Sequence, residues 1–468
     1  MKKIFALLLT AAVIVSCNNN PPVSASASAP DTFVFTVTQS TKLTRLPALQ
    51  SFVFARDSVT GCWLMFSGRT NGFHNFPAAA DSSFPVAHAN HFAYVYNPAL
   101  DTLYSMNVSN LPAPLNVQYT FTNLESFQQG NNLYVCGGYG SNNFTNDSNN
   151  FVTANIISRI NVNAMVTSII AQNTSGFAAS VVFDPKPHPV VCSTGGELYR
   201  LPGGKFYLCV GHRYYHFYNP NGLNFPLQQY LDSVHVFTLT ETPTSISLDS
   251  SSISYISDNQ PDATTQFRRR DLVVSPQVLG NGDSIGIAIY AGVFTQAGNP
   301  FTNPIYIPGY NGAAYAIDTF NQQSNYYSAP HFQLYDSTAD RMYTTVFGGI
   351  GSNPSFAGDN AAFTMQIVTL NRDFKAHTTS AIYNPSEMPN FVGAEGIFIR
   401  ANTAPAYHGN GYDIADIRAI PANQGVLVGY IFGGIVSNAP ESTTNSCNPT
   451  APSNVVYEVR MYKSGATK

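Results

Sequence analysis

Leu133-Tyr-Val-Cys-Gly-Gly138 is an apolar run of strand type closed by glycine, and the same form returns five more times along the chain. The other copies are Trp63-Leu-Met-Phe-Ser-Gly68, Phe206-Tyr-Leu-Cys-Val-Gly211, Ile287-Ala-Ile-Tyr-Ala-Gly292, Thr344-Thr-Val-Phe-Gly-Gly349 and Gly429-Tyr-Ile-Phe-Gly-Gly434. No interval between successive final glycines reaches twice the shortest, so no further copy is hidden between two others. Each copy follows a shorter strand and a polar turn, as in Glu125-Ser-Phe-Gln-Gln129 before Gly130-Asn-Asn132, which is a hairpin signal. After each glycine come a long polar loop and a third strand, predicted at 91–96, 155–162, 233–239, 313–320, 363–370 and 455–462. A fourth strand is predicted in some units, for example at 102–108 and 165–171. Such repetition predicts stacked four-stranded antiparallel sheets, each buried on both faces. The last unit lacks an outer strand, and Phe33-Val-Phe-Thr-Val-Thr-Gln39 is expected to supply it beside 455–462, leaving no open edge there.

The glycine-ended strand and this strand order resemble the kelch repeat over nearly all of residues 33–468. The resemblance implies an all-β, six-bladed kelch-like β-propeller, its ring closed by the N-terminal strand pairing in the last blade. Two features depart from the family pattern. Kelch units average about 50 residues, shorter than most of these spacings. The tryptophan usual late in the unit is also missing, since the chain's one Trp, Trp63, lies in a different strand. A sandwich or solenoid with glycine-ended strands is the competing architecture.

Charged residues make up only 10% of the chain and aromatics 13%, against roughly 25% charge in an average soluble protein. The net charge of −4 gives no field to hold a polyanion, so nucleic acid is not an expected partner. Lys2 and Lys3 precede an apolar stretch from Ile4 to Val15, the layout of a secretory signal and too short to span a bilayer. It ends in Ile14-Val-Ser-Cys17, which resembles the bacterial lipobox. That resemblance implies a signal peptide at 1–16, lipidation of Cys17, and a bacterial outer-membrane lipoprotein held to the membrane by its lipid. Residues 18–30 (NNNPPVSASASAP) have no core-forming character, so 17–32 reads as a flexible tether to a single domain at 33–468, expected to be a monomer. Cys136 and Cys209 sit at equivalent repeat positions, in sheets too far apart for a disulfide, and are expected to be buried thiols. Cys62, Cys192 and Cys447 leave room for one bridge, with the pairing open.

In kelch-type propellers the loops after the glycine strand share one face, which commonly binds the ligand. Here those loops, at about 69–90, 139–150, 212–232, 293–311, 350–361 and 435–452, carry seven charged residues and sixteen Phe or Tyr. A neutral face rich in rings and amides suits a neutral carbohydrate, whose hydroxyls need donors and acceptors together. Long secreted loops are also Asn- and Tyr-rich for solubility alone. The positions directly after the glycines are Arg69, Tyr139, His212, Val293, Ile350 and Ile435. The kelch arrangement points them at the channel mouth, which makes Arg69, Tyr139, His212, Arg213, Tyr214 and Arg270 the ligand-binding candidates. The run Arg268-Arg269-Arg270 itself reads first as a solvated crossing loop.

No Gly-x-Ser-x-Gly elbow, phosphate-binding glycine loop or His-Glu-x-x-His helix occurs. Gly280-Asn-Gly-Asp-Ser284 reads as a hairpin turn. The close histidine pairs His88/His91 and His212/His216 read as loop residues, so no metal and no cofactor is expected. Two kelch-fold enzyme families, galactose oxidase and the six-bladed sialic acid mutarotases, invite comparison, but neither active site can be matched residue by residue. A mutarotase or epimerase needs an acid and a base, for which Glu125, Glu197 or His331 would serve. The preferred reading is a noncatalytic glycan-binding lipoprotein. A scaffold for an envelope protein partner and a sugar mutarotase are the alternatives.

Overall fold

The computed structural model describes residues 32–74, 83–218, 227–279, 284–309, 314–351, 360–407, 411–439, 441–443 and 450–464. The leader, Cys17, nearly all of the tether, the turn at 280–283 and Cys447 lie outside the described residues.

The chain is all-β and built from many small antiparallel sheets. Five follow one another with their strands in chain order. The first holds Val53–Arg56, Trp63–Phe66, Phe92–Asn97 and Thr102–Asn107; the second Thr122–Gln129, Asn132–Ser141, Ile157–Asn161 and Val181–Phe183. The third holds Glu197–Arg200, Phe206–Cys209, Val234–Thr242 and Ser245–Ile256; the fourth Val273–Leu279, Ser284–Tyr290, Ile305–Ile307 and Ala316–Ile317. The fifth holds His331–Asp336, Arg341–Phe347, Ile367–Asp373 and Thr378–Tyr383. A sixth sheet combines Gly396–Arg400, Gly425–Gly433 and Val456–Lys463 with Phe33–Gln39, so the first and last strands among the described residues are neighbours. Their register runs from Phe33 opposite Lys463 to Gln39 opposite Tyr457, as the sequence led us to expect.

Local chemistry sets these elements. The second strands Trp63–Phe66 and Phe206–Cys209 are buried at every position, which is why they read as continuous apolar runs rather than as alternation. Turn aspartates close the hairpins: Asp57 accepts from Val59 N at 3.2 Å and Thr60 N at 3.2 Å, and Asp336 from Thr338 N at 2.9 Å and Ala339 N at 3.1 Å.

The six motif glycines all have positive φ, from 79° at Gly68 to 98° at Gly349, and the residue before each is left-handed too, even Val210 and Ala291. A Cβ at Gly68 would lie 2.4 Å from the Gln50 carbonyl oxygen, so the glycine answers to space as well as to φ. This double left-handed step aims the glycine N–H out of its own sheet. Gly68 donates to Phe121 O at 2.9 Å, Gly138 to Ser193 O at 2.8 Å and Gly211 to Arg269 O at 2.8 Å. Each acceptor lies just before the first strand of the following sheet. For the sixth sheet the acceptor is Leu49 O, at 2.9 Å from Gly434 N, just before the first sheet.

A second series joins residues at or just before the starts of the first strands. Asn123 N donates to Ser51 O at 3.2 Å, Asp271 N to Gly195 O at 2.6 Å, Ser328 N to Asp271 O at 3.3 Å and Glu395 N to Ser328 O at 2.9 Å. Ser51 N donates to Glu395 O at 3.3 Å, which links the first unit to the sixth. Apolar clusters follow the same order. Leu64 shares one with Leu133, Tyr134 and Leu208 one with Phe206 and Ile287, Tyr290 one with Val346, and Phe347 one with Val428. Trp63 of the first sheet shares a cluster with Phe432 of the sixth.

Three expectations are corrected, and the cysteine pairing left open is narrowed. Residues 165–171 are not a strand: Val162–Ile170 is a helix capped by the Asn161 side chain, which accepts from Ala164 N at 3.0 Å. Its buried Val162, Met165, Val166 and Ile169 follow helical spacing, and the outer strand comes later, at Val181–Phe183. In the fourth sheet the third strand is Ile305–Ile307, inside the expected loop, and 313–320 contributes only the short outer strand Ala316–Ile317. Three residues between Pro304 and Pro308 are too few to show a period. Among the described residues no bridge joins Cys62 or Cys192, which are buried free thiols like Cys136 and Cys209. The Arg268-Arg269-Arg270 run is not solvated; these residues are 8%, 0% and 6% exposed.

Candidate functional site

The first strands of all six sheets contribute to one cavity of about 880 Å³. Phe54 and Arg56 come from the first sheet, Glu125 and Gln128 from the second, and Glu197 and Tyr199 from the third. Pro276, His331 with Gln333, and Phe398 complete the circuit from the fourth, fifth and sixth. The hydrogen-bonded residues at the starts of these strands separate the cavity from a space of only about 50 Å³ at the end of the post-glycine residues. Ser51, Asn123 and Glu395 border both spaces.

Carboxyl groups gather at the closed end of the large cavity. Glu125 is 2% exposed and its Oε1 accepts from Gly196 N at 2.9 Å. Glu395 Oε2 accepts from the Ser51 hydroxyl at 2.9 Å. Glu197 is enclosed on every side but the cavity, and its carboxyl has no hydrogen-bond donor among the described residues. Burial disfavours the charged form of all three: Glu125 is held well above the usual carboxylate range, and Glu197 and Glu395 are pushed up to about 8. Asp271 lies next to them and repels Glu125 and Glu395. Its own Oδ2 is taken by the Tyr327 hydroxyl at 2.6 Å and by Arg270.

His331, grouped with Glu125 and Glu197 as an acid or base, faces carbonyls on both sides. Its Nδ1 is 3.0 Å from Ala329 O and its Nε2 3.1 Å from Val274 O. Neither nitrogen points at the carboxyls, so the ring braces the fifth sheet against the fourth. Arg56 donates to Arg400 O at 3.1 Å, and Arg400 pairs with Asp413 at 2.8 Å toward the open end.

One wall comes from an insertion, residues 401–424, between the first two strands of the sixth sheet. Its strand Ile414–Asp416 pairs in parallel with the first strand of the fifth sheet, Gln333 opposite Ile414. Tyr412 reaches the Phe127 ring of the second sheet at 6.0 Å between centroids, and Tyr407 packs edge-on to Tyr335 at 4.7 Å. Sequence reasoning missed this wall and Glu395. The signal was available in the length of 401–424, since the other five sheets join their first two strands by short turns.

The opposite end holds the candidates expected from the post-glycine positions. Arg69, Tyr139, His212, Tyr214 and Arg270 are buried, and Arg213 is half-buried on the short strand His212–Tyr214. Arg69 donates to Asn71 Oδ1 at 3.0 Å and Pro85 O at 3.1 Å, under the Phe84 ring. The Tyr139 hydroxyl donates to His216 O at 2.5 Å, and Tyr214 packs edge-on to Tyr139 and Tyr218 and tilted against His212. His212 Nδ1 lies 2.6 Å from Gln228 Nε2, and burial with nearby Arg270 holds its pKa well below the ordinary value. Arg270 donates to the Tyr230 and Tyr218 hydroxyls at 3.1 and 2.8 Å. Arg269 lies apart, donating to Gln266 O, Ala291 O and Asn303 O with its guanidinium over Phe301. Val293, Ile350 and Ile435 pack together on the other half of this end. The six post-glycine side chains therefore meet as buried packing, and loop stretches 75–82, 219–226 and 352–359 around them lie outside the described residues. Among the described residues no His, Cys, Asp or Glu group is arranged to hold a metal ion.

No family model matches the chain, and no curated protein matches it. Among solved structures, one described as "Structure of YjhT" is similar to it at 13% identity, over 88% of this chain and 99% of that one, with a TM-score of 0.45.

Proposed function

We propose that the chain is a six-bladed kelch-like β-propeller, lipid-anchored to the outer membrane through Cys17, that binds a carbohydrate lacking acid groups. In this reading the six sheets are the blades and the large cavity is the central channel. The hydrogen bonds from Ser51 to Glu395 and from Gly434 to Leu49 support a closed ring, since both join the sixth unit to the first.

The observation that carries the binding role is the composition of the cavity wall. Half-buried rings of Phe54, Tyr199 and Phe398 offer apolar faces to a sugar, while Gln333 and neutral carboxyls offer donors and acceptors together. A volume of about 880 Å³ falls within the usual range for small-ligand sites, roughly 300–1,000 Å³. An anionic ligand would meet the carboxyl groups at the closed end, so acid sugars are disfavoured.

A second reading rests on the same glutamates. Glu197 and Glu395, pushed up to about 8, are poised to give and take a proton near neutral pH, the property a mutarotase requires. Saturation-transfer NMR on the purified protein with cellobiose, N,N'-diacetylchitobiose and glucuronate tests both readings. Transfer to the first two without faster anomer exchange supports binding alone, added exchange supports the mutarotase, and transfer only to glucuronate or to none contradicts the proposal.

A further inference from the structure

The cavity has two chemically different ends. Toward the open end stand Arg56 and the paired Arg400 and Asp413. At the closed end stand Ser51, Asn123 with Glu125, Glu197, Ser328 with His331, and Glu395, and Asp271 lies just beyond them, lining the small space. Among these, no basic side chain is free to neutralise a carboxylate. The His331 nitrogens are both turned to carbonyls, and Arg270 lies behind Asp271 and is consumed by it. Glu125 and Glu395 each have a donor, whereas the Glu197 carboxyl faces the cavity with none among the described residues.

An acceptor-rich, cation-free pocket enclosed by protein is a poor place for a hydroxyl alone. Ionised carboxylates there repel one another, and an unpaired buried charge is strongly disfavoured. A ligand that brings its own positive charge removes both penalties, and a charge-assisted N–H···O bond is roughly twice as strong as a neutral one. We infer that the cavity selects a ligand bearing a protonated amine, an amino sugar in the carbohydrate reading above, with the ammonium group received by Glu197 and Glu395 and the sugar ring lying among Phe54, Tyr199 and Phe398.

The step balances in protons. An empty cavity at neutral pH holds these carboxyls mainly protonated; an entering ammonium ion keeps its own proton and displaces one from a carboxyl to the buffer. Binding therefore releases protons and strengthens as pH rises from 6 to 8, as long as the amine stays charged. A neutral sugar releases none.

Isothermal titration of the full protein at pH 7, in two buffers of different ionisation enthalpy, tests this with four probes: the glucosamine disaccharide, its N,N'-diacetyl form, cellobiose and spermidine. The expected result is at least about tenfold tighter binding of the amino disaccharide than of cellobiose, equivalent to about 1.4 kcal/mol, with proton release seen only for the amines. Glu197→Gln, and independently Glu395→Gln, should reduce that preference and the proton release together. Equal binding of cellobiose and the amino disaccharide overturns the inference while leaving the carbohydrate reading in place. Spermidine binding that is sensitive to Glu197→Gln, with no sugar bound, keeps the amine site and removes the carbohydrate reading. No binding by either amine overturns the inference.

Discussion

Ser51 holds Glu395 twice: its backbone N–H donates to the Glu395 carbonyl oxygen at 3.3 Å and its hydroxyl to Oε2 at 2.9 Å. One residue precedes the first sheet and the other the sixth, so this contact joins the two ends of the sheet series. It also sets a carboxyl at the boundary between the two internal spaces. Architecture and site chemistry therefore meet at one pair of residues, and the predictions below separate their contributions.

Removing the charge of Glu197 should stabilise the protein in a pH-dependent way. Its folded value of about 8 lies above the ordinary value of 4.5. Between those limits the native state keeps a proton that the unfolded chain has lost, so this group's contribution to stability falls as pH rises through the window. Glu197→Gln should match wild type near pH 4.5 and melt about 2 °C or more higher at pH 8.5. A constant difference at both pH values, by differential scanning calorimetry, would show that burial does not perturb the group.

The strand Phe33–Gln39 should be essential to the sixth sheet. Phe35 is 1% exposed and packs edge-on to Phe332 and Phe347. Phe35→Ala should cost about 3–5 kcal/mol in urea unfolding. Deleting 33–39 should expose the Val456–Lys463 edge and promote association, read by light scattering.

Arg269 is a structural cation with no carboxylate within ion-pair distance among the described residues. Its donors reach Gln266 O at 2.6 Å, Ala291 O at 2.9 Å and Asn303 O at 2.8 Å. Arg269→Lys cannot reproduce that fork and should cost about 2 kcal/mol or more in urea unfolding. An unchanged midpoint would mean that water replaces the lost donors.

Thiol chemistry should be silent in the native state. Burial raises Cys136, Cys192 and Cys209 above the ordinary thiol value. Peptide mapping after iodoacetamide should find these three unmodified in native protein and modified in urea.

Membrane attachment should depend on Cys17. Cys17→Ser should move the protein from the membrane fraction to the soluble one, and persistence in the membrane would contradict lipidation.

The second strand of each of the six sheets was legible because its glycine is demanded by a left-handed backbone, a constraint that leaves a fixed residue type. The closing strand Phe33–Gln39 was legible because the last unit lacked an outer strand and this segment was spare. Ile305–Ile307 was not, because three residues carry no period, and Val162–Ile170 was misread because a short helix in a strand-rich chain competes with a plausible strand. Of the site, Glu125 and Glu197 stood out as acids near first strands. The wall at Tyr412 was signalled only by the length of 401–424, and Glu395 did not stand out, since its approach to the cavity depends on long-range register that no local pattern encodes. The buried arginines misled for the opposite reason: three consecutive charges read as solvated, yet rings and carbonyls from distant segments enclose them.

The most direct test of the account is where a bound sugar sits. Saturation transfer to cellobiose and the glucosamine disaccharide should be compared in wild type, in Ser126→Trp, which fills part of the large cavity, and in Tyr215→Ala at the opposite end, with circular dichroism confirming the fold of each. Transfer lost in Ser126→Trp and kept in Tyr215→Ala is the predicted result. Transfer kept in Ser126→Trp and lost in Tyr215→Ala would contradict it.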